Sequence, residues 1–136
     1  MSTRSASAGW RPGPLRCDVE VEGFTIPVDE PPAAGGSGRA PQPTDLLLAS
    51  VASCFVLALV YAAGKRGVEL RDVQVEAIGT YDGPRFSSVD IQAVVDGPSP
   101  AELERLVQSA ERVCYVTNTL RRSTEITVSA RPVSRR

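Results

Sequence analysis

One stretch of the chain is apolar at nearly every position, from residue 46 to residue 63, on all faces of the helix that it would form. Pro43 is typical of a helix start, and Gly64 with two basic residues after it is typical of a helix end. A helix that is apolar all round is buried, either in a protein core or in a membrane. The sequence therefore predicts a buried helix over residues 43–66.

Strict alternation of apolar and polar residues marks three other stretches of the chain. Residues 17–28 alternate on both sides of Glu22-Gly23, and residues 73–95 alternate on both sides of Asp82-Gly83-Pro84. Each predicts an antiparallel β-hairpin. The alternation of Ile126, Val128 and Ala130 predicts a last strand.

A second, amphipathic helix is predicted between the second hairpin and the last strand. Ser99-Pro100-Ala101-Glu102 is a capping box with proline at the first helical position, and apolar residues follow at helical spacing as far as Cys114. Thr117 or Asn118 is suited to cap a further short turn. Hairpins joined by helices indicate the α+β class.

Between these elements, the composition predicts a tail and a loop. Residues 1–14 are rich in Ser, Ala, Gly, Pro and Arg and are predicted to be a mobile tail, followed by a single domain over residues 15–132. Residues 29–42 carry glycine and proline too densely for a helix or a strand, so they form a loop. A chain of 136 residues struggles to cover a wholly apolar helix alone, which predicts an obligate homodimer.

Composition excludes several classes of function. The net charge is −1 with scattered arginines, so we expect no nucleic-acid partner. The chain has no histidine, which excludes Ser-His-Asp and Cys-His catalysis and most zinc sites, and we expect no metal and no cofactor. The N-terminus lacks an apolar signal region, which predicts a cytoplasmic protein. The apolar stretch of residues 46–63 is at the short limit for a membrane span, and its flanking strands favour a buried soluble helix.

The chemistry that remains is that of cysteine, and Cys54 lies in the middle of the apolar helix. A thiol in apolar surroundings is inert, because burial disfavours the thiolate. Lowering its pKa below 7 takes about 2 kcal/mol, which one close arginine can provide. Arg39 is the first candidate, because its loop enters this helix, and Arg11 and Arg16 are the others.

A second cysteine, Cys114, gives two interpretations. Two unrelated buried cysteines are the commoner case. In the other case, an oxidised Cys54 condenses with Cys114 to a disulfide, which protects the sulfenic acid from overoxidation. Spacing alone leaves both open, and Cys17 is expected to pack as a small hydrophobic residue.

Two segments resemble the OsmC/Ohr family of osmotically inducible and organic hydroperoxide resistance proteins. Residues 43–55 resemble the family's cysteine helix, and the loop residues 28–31 with Gly35-Gly36 resemble those of OsmC-like members. Cys114-Tyr115-Val116-Thr117-Asn118-Thr119-Leu120 resembles the segment of its second cysteine, which usually reads Cys-Pro-Val-Ser-Asn-x-Leu. The resemblance covers residues 17–130.

That resemblance implies a fold, an activity and partners. The fold is an intertwined homodimer in which antiparallel sheets wrap long central helices, with active sites at the subunit interface. The activity is a thiol peroxidase acting on organic hydroperoxides, with Cys54 as the peroxidatic cysteine and Cys114 as the resolving one. A dithiol reductant restores the pair, and lipoyl-bearing proteins serve in some members.

Three departures from the family pattern bear on the site. Thr44 stands where the family has a glutamate, and Asp45 is an acid one residue on, about 100° further round the helix. Tyr115 replaces the usual proline. We expect Thr44, Phe55 and Tyr115 to line the substrate pocket. The missing glutamate motivates an alternative function, a non-catalytic dimer that binds an apolar small molecule.

Overall fold

The computed structural model describes residues 1–122 and 124–133. Over these residues the chain forms five strands, three α-helices and one short 3-10 helix (Pro32–Ala34), and the strands with the α-helices confirm the α+β class. In chain order they are β1 (Ser7–Gly9), β2 (Arg16–Val21), β3 (Phe24–Asp29), α1 (Pro43–Arg66), β4 (Asp72–Tyr81), β5 (Phe86–Asp96), α2 (Pro100–Val113) and α3 (Tyr115–Arg121).

The chain divides into two compact units, and both include parts of α1 and of the β4–β5 hairpin. The first unit comprises Met1–Ala52 and Ala77–Ile91. The second comprises Ser53–Glu76 and the described residues from Gln92 onward.

The first unit contains a three-stranded antiparallel sheet in the order β1-β2-β3. The predicted hairpin is confirmed, with Cys17 opposite Val28 across the two strands. Glu22 and Gly23 both have positive φ, 49° and 82°, as a two-residue hairpin turn that follows the twist of the strands requires. Strand β1 was not predicted; it lies within the stretch predicted to be a tail and pairs with β2.

A buried carboxylate organises the loop between β3 and α1. Asp29 is 1% exposed, and its two oxygens accept four hydrogen bonds: the peptide N–H groups of Glu30, Ser37 and Arg39 and the Ser37 hydroxyl. Hydrogen bonds from the Ser37 hydroxyl and N–H are the largest cause that lowers the Asp29 pKa from 3.8 to about 2. At Gly36 a side chain would collide with the Glu30 carbonyl, so the loop closes only over a glycine.

Helix α1 has the predicted bounds, and its two ends are capped locally. Asp45 accepts a hydrogen bond from the Gln42 peptide N–H (3.2 Å), which satisfies a donor at the helix start. The helix ends at Arg66 as predicted, but the glycine of the predicted stop signal, Gly64, lies inside it. The residue with the left-handed conformation that ends a helix is Gly67, at φ 66°.

The surface of α1 is only partly covered by the described chain. Val51 and Leu59 are fully buried, whereas Leu57 and Tyr61 are 68% and 57% exposed. Among the described residues, α1 is also the one helix with the length and mean hydropathy (2.4) of a membrane span, properties that the core helix of a soluble protein shares. Just 33% of its most apolar window is buried, so the described residues leave a large apolar face of α1 uncovered.

The second hairpin and the amphipathic helix are confirmed. β4 and β5 are neighbours in a two-stranded sheet. Helix α2 begins at the predicted capping box: the Ser99 side chain accepts from the Glu102 N–H, and the Glu102 side chain accepts from the Ser99 N–H. Its apolar face buries Leu106 and Ala110 in the second unit.

Two predictions for the C-terminal part are wrong. Helix α3 begins at Tyr115 rather than after Thr117 or Asn118, because Cys114 is the extended residue that precedes its first turn. The predicted last strand is absent from the described residues 124–133, where Ile126 and Val128 are 84% and 90% exposed. A strand is defined by hydrogen bonds to a neighbour, and within the described chain this segment pairs with no other strand.

We predict that Asp29→Asn lowers the melting temperature by several degrees at neutral pH, because the amide nitrogen would face peptide N–H donors. A carboxylate with a lowered pKa stabilises the fold above its unfolded pKa, and this contribution fades as pH falls from about 4 to about 2. Circular dichroism melts should therefore show the two proteins converging over that interval. The exposed Asp72 provides the control variant Asp72→Asn, which should melt like the wild type. A constant difference between pH 7 and pH 2 would contradict the account.

Candidate active site

The structure brings two of the three cysteine side chains into contact. Cys54 lies in the middle of α1 and is half-buried, while Cys114 lies between α2 and α3 and is 0% exposed. Both belong to the second unit, and their side chains share a hydrogen bond. The two thiols are therefore in direct contact, which the sequence alone could not decide.

The break between α2 and α3 exposes hydrogen-bond donors to both sulfurs. Cys114 is extended (φ −77°, ψ 103°), and the first peptide N–H groups of the helix that follows it have no partner within that helix. The N–H groups of Tyr115 and Val116 donate to the Cys54 sulfur. Those of Val116 and Thr117 donate to the Cys114 sulfur. Three consecutive peptide groups thus face the thiol pair.

These contacts shift the two thiol pKa values in opposite directions. Burial is the largest effect on Cys54 and raises its pKa, and hydrogen-bonded Cys114 raises it further. Burial also opposes ionisation of Cys114, but the Thr117 side chain, the peptide N–H groups and the Cys54 thiol together outweigh it and lower the pKa. The first proton lost from the pair therefore leaves a negative charge on Cys114, with Cys54 as the hydrogen-bond donor.

Thr117 is a buried hydroxyl residue beside this charge. It is 5% exposed, and its hydroxyl lies within reach of the Cys114 carbonyl oxygen (3.3 Å) and of the Cys114 sulfur. A hydroxyl carries one proton, so it donates to one of these acceptors at a time. Ionisation of Cys114 favours the sulfur as its acceptor.

The arginines proposed as activators lie in the first unit. Arg39 is exposed, and its peptide N–H anchors the loop to Asp29. Arg11 is exposed between β1 and β2, and Arg16 lies 4.0 Å from Asp18. Each stays a prediction as the source of a cation, since the described hydrogen bonds to the thiols come from the peptide groups and Thr117.

The residues at the start of α1 also lie in the first unit. Thr44, which stands in the position of the family's glutamate, shares a 2.7 Å hydrogen bond with the Tyr81 hydroxyl. Tyr81 in turn packs on Phe86 with 4.6 Å between ring centroids. The contact observed for Asp45 is the capping one at Gln42. A pair of hydroxyl groups thus occupies the place where an acid was expected.

The predicted pocket residues differ in their surroundings. Phe55 is 4% exposed and belongs to the core of the second unit, whereas Tyr115 is 84% exposed. Their role in a substrate pocket stays a prediction.

The first unit contains an apolar cavity of about 420 Å³. Its size falls in the range of small-molecule sites. Its apolar wall includes the side chains of Trp10, Leu15, Cys17, Val28 and Pro43. Cys17 therefore lines a concave apolar surface, a position that the sequence did not indicate.

Sequence reasoning missed Thr117 and Tyr81 as site residues. Thr117 was interpreted as a helix cap, although its position three residues after Cys114 places it on the first turn beside that cysteine. Tyr81 was interpreted only as the end of a strand, and nothing local indicates that its hydroxyl meets Thr44.

Comparison with known families identifies the relatives of the chain. Residues 35–129 match the model of the family described as OsmC-like protein. An organic hydroperoxide resistance protein of Xanthomonas axonopodis pv. citri is 31% identical over 100 residues, which are 71% of this chain and 69% of that protein.

Solved structures share the fold. A crystal structure of an organic hydroperoxide resistance protein OsmC from Legionella pneumophila is 26% identical, covers 89% of this chain and 90% of its own, and has a TM-score of 0.69. An OsmC-like protein from Mycoplasma pneumoniae has a TM-score of 0.78 at 15% identity, with 88% of each chain covered. The second likeness bears on the fold alone.

We predict that the Cys54 thiol lowers the pKa of Cys114 through its hydrogen bond. In a Cys17→Ser background, Cys54→Ala leaves Cys114 as the one thiol and removes the donor, while Cys54→Ser keeps a donor. Thiolate absorbance at 240 nm should give a higher Cys114 pKa in the alanine variant than in the serine variant. Equal Cys114 pKa values in the two variants would show that the hydrogen bond from residue 54 does not stabilise the Cys114 thiolate.

Proposed function

The chain belongs to the family of OsmC-like proteins, and on that premise we propose that it is a cysteine-based peroxidase that reduces organic hydroperoxides. The observation that carries the proposal is the hydrogen-bonded contact between Cys54 and Cys114. The name of the Xanthomonas relative supports organic hydroperoxides as the substrate class. Its role would be defence against peroxides in the cytoplasm.

Cys54 is the thiol that meets the peroxide, because it is half-exposed and Cys114 is not. A thiolate forms on Cys54 when its proton passes across the hydrogen bond to Cys114, while the N–H groups of Tyr115 and Val116 donate to its sulfur. The Cys54 sulfur attacks the distal oxygen of the hydroperoxide and the O–O bond breaks. The other oxygen leaves with a proton as the alcohol, and Cys54 becomes a sulfenic acid.

Cys114 then closes the disulfide. Its sulfur attacks the Cys54 sulfur, the S–OH bond breaks, and the hydroxyl leaves with a proton as water. The hydrogen bonds that favour the Cys114 thiolate supply the nucleophile for this step. A dithiol reductant restores both thiols, and a lipoyl-bearing protein is one such reductant.

A homodimer is the assembly that we propose for this activity. Leu57, Val60 and Tyr61 lie on one face of α1 and are 68%, 49% and 57% exposed, which is a large apolar surface for a chain of 14.5 kDa.

One observation favours a second candidate function, a binding protein for an apolar small molecule. The cavity beside Cys17 and Trp10 has a suitable volume, and the hydroxyl pair of Thr44 and Tyr81 replaces the family's acid. In that case Cys54 would stay reduced under moderate peroxide.

We predict that Cys54 is required for peroxide consumption. In a titration with cumene hydroperoxide and no reductant, the wild type should consume one equivalent and lose two thiols. Cys114→Ser should lose one thiol, and Cys54→Ser should retain less than roughly 1% of the rate. Cys17→Ser is the matched control and should behave like the wild type. Unchanged consumption by Cys54→Ser would refute the assignment, and a wild type that keeps all its thiols would favour the binding function.

We predict that Leu57→Glu disrupts the dimer, because it places a charge in the exposed apolar face of α1. Light scattering after size exclusion should give about twice 14.5 kDa for the wild type and about 14.5 kDa for the variant. Gln108→Glu adds the same charge on an exposed position of α2 and should remain dimeric. A wild type that is monomeric at all concentrations would contradict the proposed assembly.

A further inference from the structure

We propose that the Cys54–Cys114 disulfide is reopened from one side only: a reducing thiol attacks the Cys54 sulfur and expels Cys114, and Thr117 stabilises the departing sulfur. The inference rests on the proposed function, because it requires the disulfide that this function forms. It goes beyond that function by naming the sulfur that is attacked and a residue that acts on the leaving group.

Access to the two sulfurs is unequal. Cys54 is half-buried on α1, whereas Cys114 is 0% exposed. On the helix that leads to Cys114, Leu106 and Ala110 are also 0% exposed, and the Cys114 peptide N–H is bonded to the Ala110 carbonyl at 2.9 Å. Within one copy of the chain, a thiol directed at Cys114 would have to open this core, while one directed at Cys54 would not.

The hydrogen bonds to the two sulfurs also favour attack at Cys54. The sulfur that leaves a disulfide becomes a thiolate, and reduction is faster when that thiolate is better stabilised. Cys114 has the Thr117 hydroxyl, the Thr117 N–H and the Val116 N–H as donors, and each of them acts against burial to favour the thiolate. At Cys54, burial is the largest effect, and together with Cys114 it raises the pKa against two N–H donors, so Cys54 is the poorer leaving group.

The step balances with a dithiol as the reductant. Its first thiolate forms a bond to the Cys54 sulfur, the Cys54–Cys114 bond breaks, and the electron pair of that bond stays on Cys114. The second thiol of the reductant then attacks its own first sulfur and releases Cys54, which takes up a proton. The reductant ends as a cyclic disulfide, and both protein thiols are restored by its two electrons.

The Thr117 hydroxyl is placed to respond to this change of charge. In the disulfide, Cys114 carries no charge, and the carbonyl oxygen of Cys114 at 3.3 Å is the better acceptor for the hydroxyl proton. When Cys114 leaves as a thiolate, the sulfur becomes the stronger acceptor, and the hydroxyl is within reach of it without movement of the backbone.

The direction of attack can be determined by trapping the mixed disulfide. Cys17→Ser protein is oxidised with diamide, so that the disulfide forms without any peroxide reaction. It is then treated briefly with the monothiol β-mercaptoethanol, quenched in acid and alkylated with N-ethylmaleimide. Peptide mapping should find mercaptoethanol on Cys54 and maleimide on Cys114.

The possible outcomes separate this inference from the proposed function. Mercaptoethanol on Cys114, or in equal amounts on both cysteines, would overturn the inference and leave the peroxidase intact. Failure of diamide to join Cys54 to Cys114 would overturn the inference together with the two-thiol cycle. A disulfide that forms with diamide but not with cumene hydroperoxide would refute the peroxidase alone.

The role of Thr117 has its own test. Thr117→Val keeps the shape of the side chain and removes the donor, so reduction of the disulfide should slow by roughly threefold to tenfold. Thr117→Ser keeps the hydroxyl and should restore reduction.

Thr119→Val is the matched control for this test, since the Thr119 hydroxyl donates to the Tyr115 carbonyl (2.7 Å) on the same helix. It should reduce at the wild-type rate. Equal slowing in both variants, or an unchanged rate in Thr117→Val, would refute the role of Thr117.

Discussion

The chemistry of this protein depends on hydrogen bonds to two sulfurs in a place with little water. Isolated burial would keep both thiols protonated and unreactive, since a desolvated thiolate is costly. Cys114 escapes this penalty because three donors in addition to Cys54 face its sulfur, and a hydrogen bond to a charged group contributes about 1.5–3 kcal/mol. The charge is therefore held by peptide groups and one hydroxyl.

The chain creates these donors by interrupting a helix. Helix α2 begins at a capping box and continues to Val113, and α3 resumes at Tyr115 after a single extended residue. In an uninterrupted helix the N–H groups of Val116 and Thr117 would be bonded to carbonyls four residues earlier and would not reach a sulfur. Replacement of the family's usual proline by Tyr115 adds one more peptide N–H at this break, and that N–H donates to Cys54.

The sequence predicts the elements better than it predicts the site. The bounds of α1, the two hairpins and the capping box of α2 follow from local signals such as alternation, helix caps and paired turn residues. The contact between Cys54 and Cys114 is non-local, and spacing alone could not select it over two unrelated cysteines. The strand expected at Ile126 failed for a related reason: alternation specifies which face of a strand is apolar, but a strand also needs a neighbour, which no local pattern supplies.

The free energy needed to ionise Cys54 also defines the role that an arginine would have. The sequence argument asked a cation to supply about 2 kcal/mol to the Cys54 thiolate. The peptide groups and Thr117 stabilise the Cys114 thiolate, yet burial still raises the pKa of Cys54. The described hydrogen bonds do not offset the cost of moving the negative charge from the Cys114 sulfur to the Cys54 sulfur. Thr44 and Tyr81 offer hydroxyl groups where the family has a glutamate. In the proposed peroxidase, an arginine that activates Cys54 would therefore be held by other contacts, and it would contribute to the proposed reaction with peroxide rather than to ionisation of Cys114.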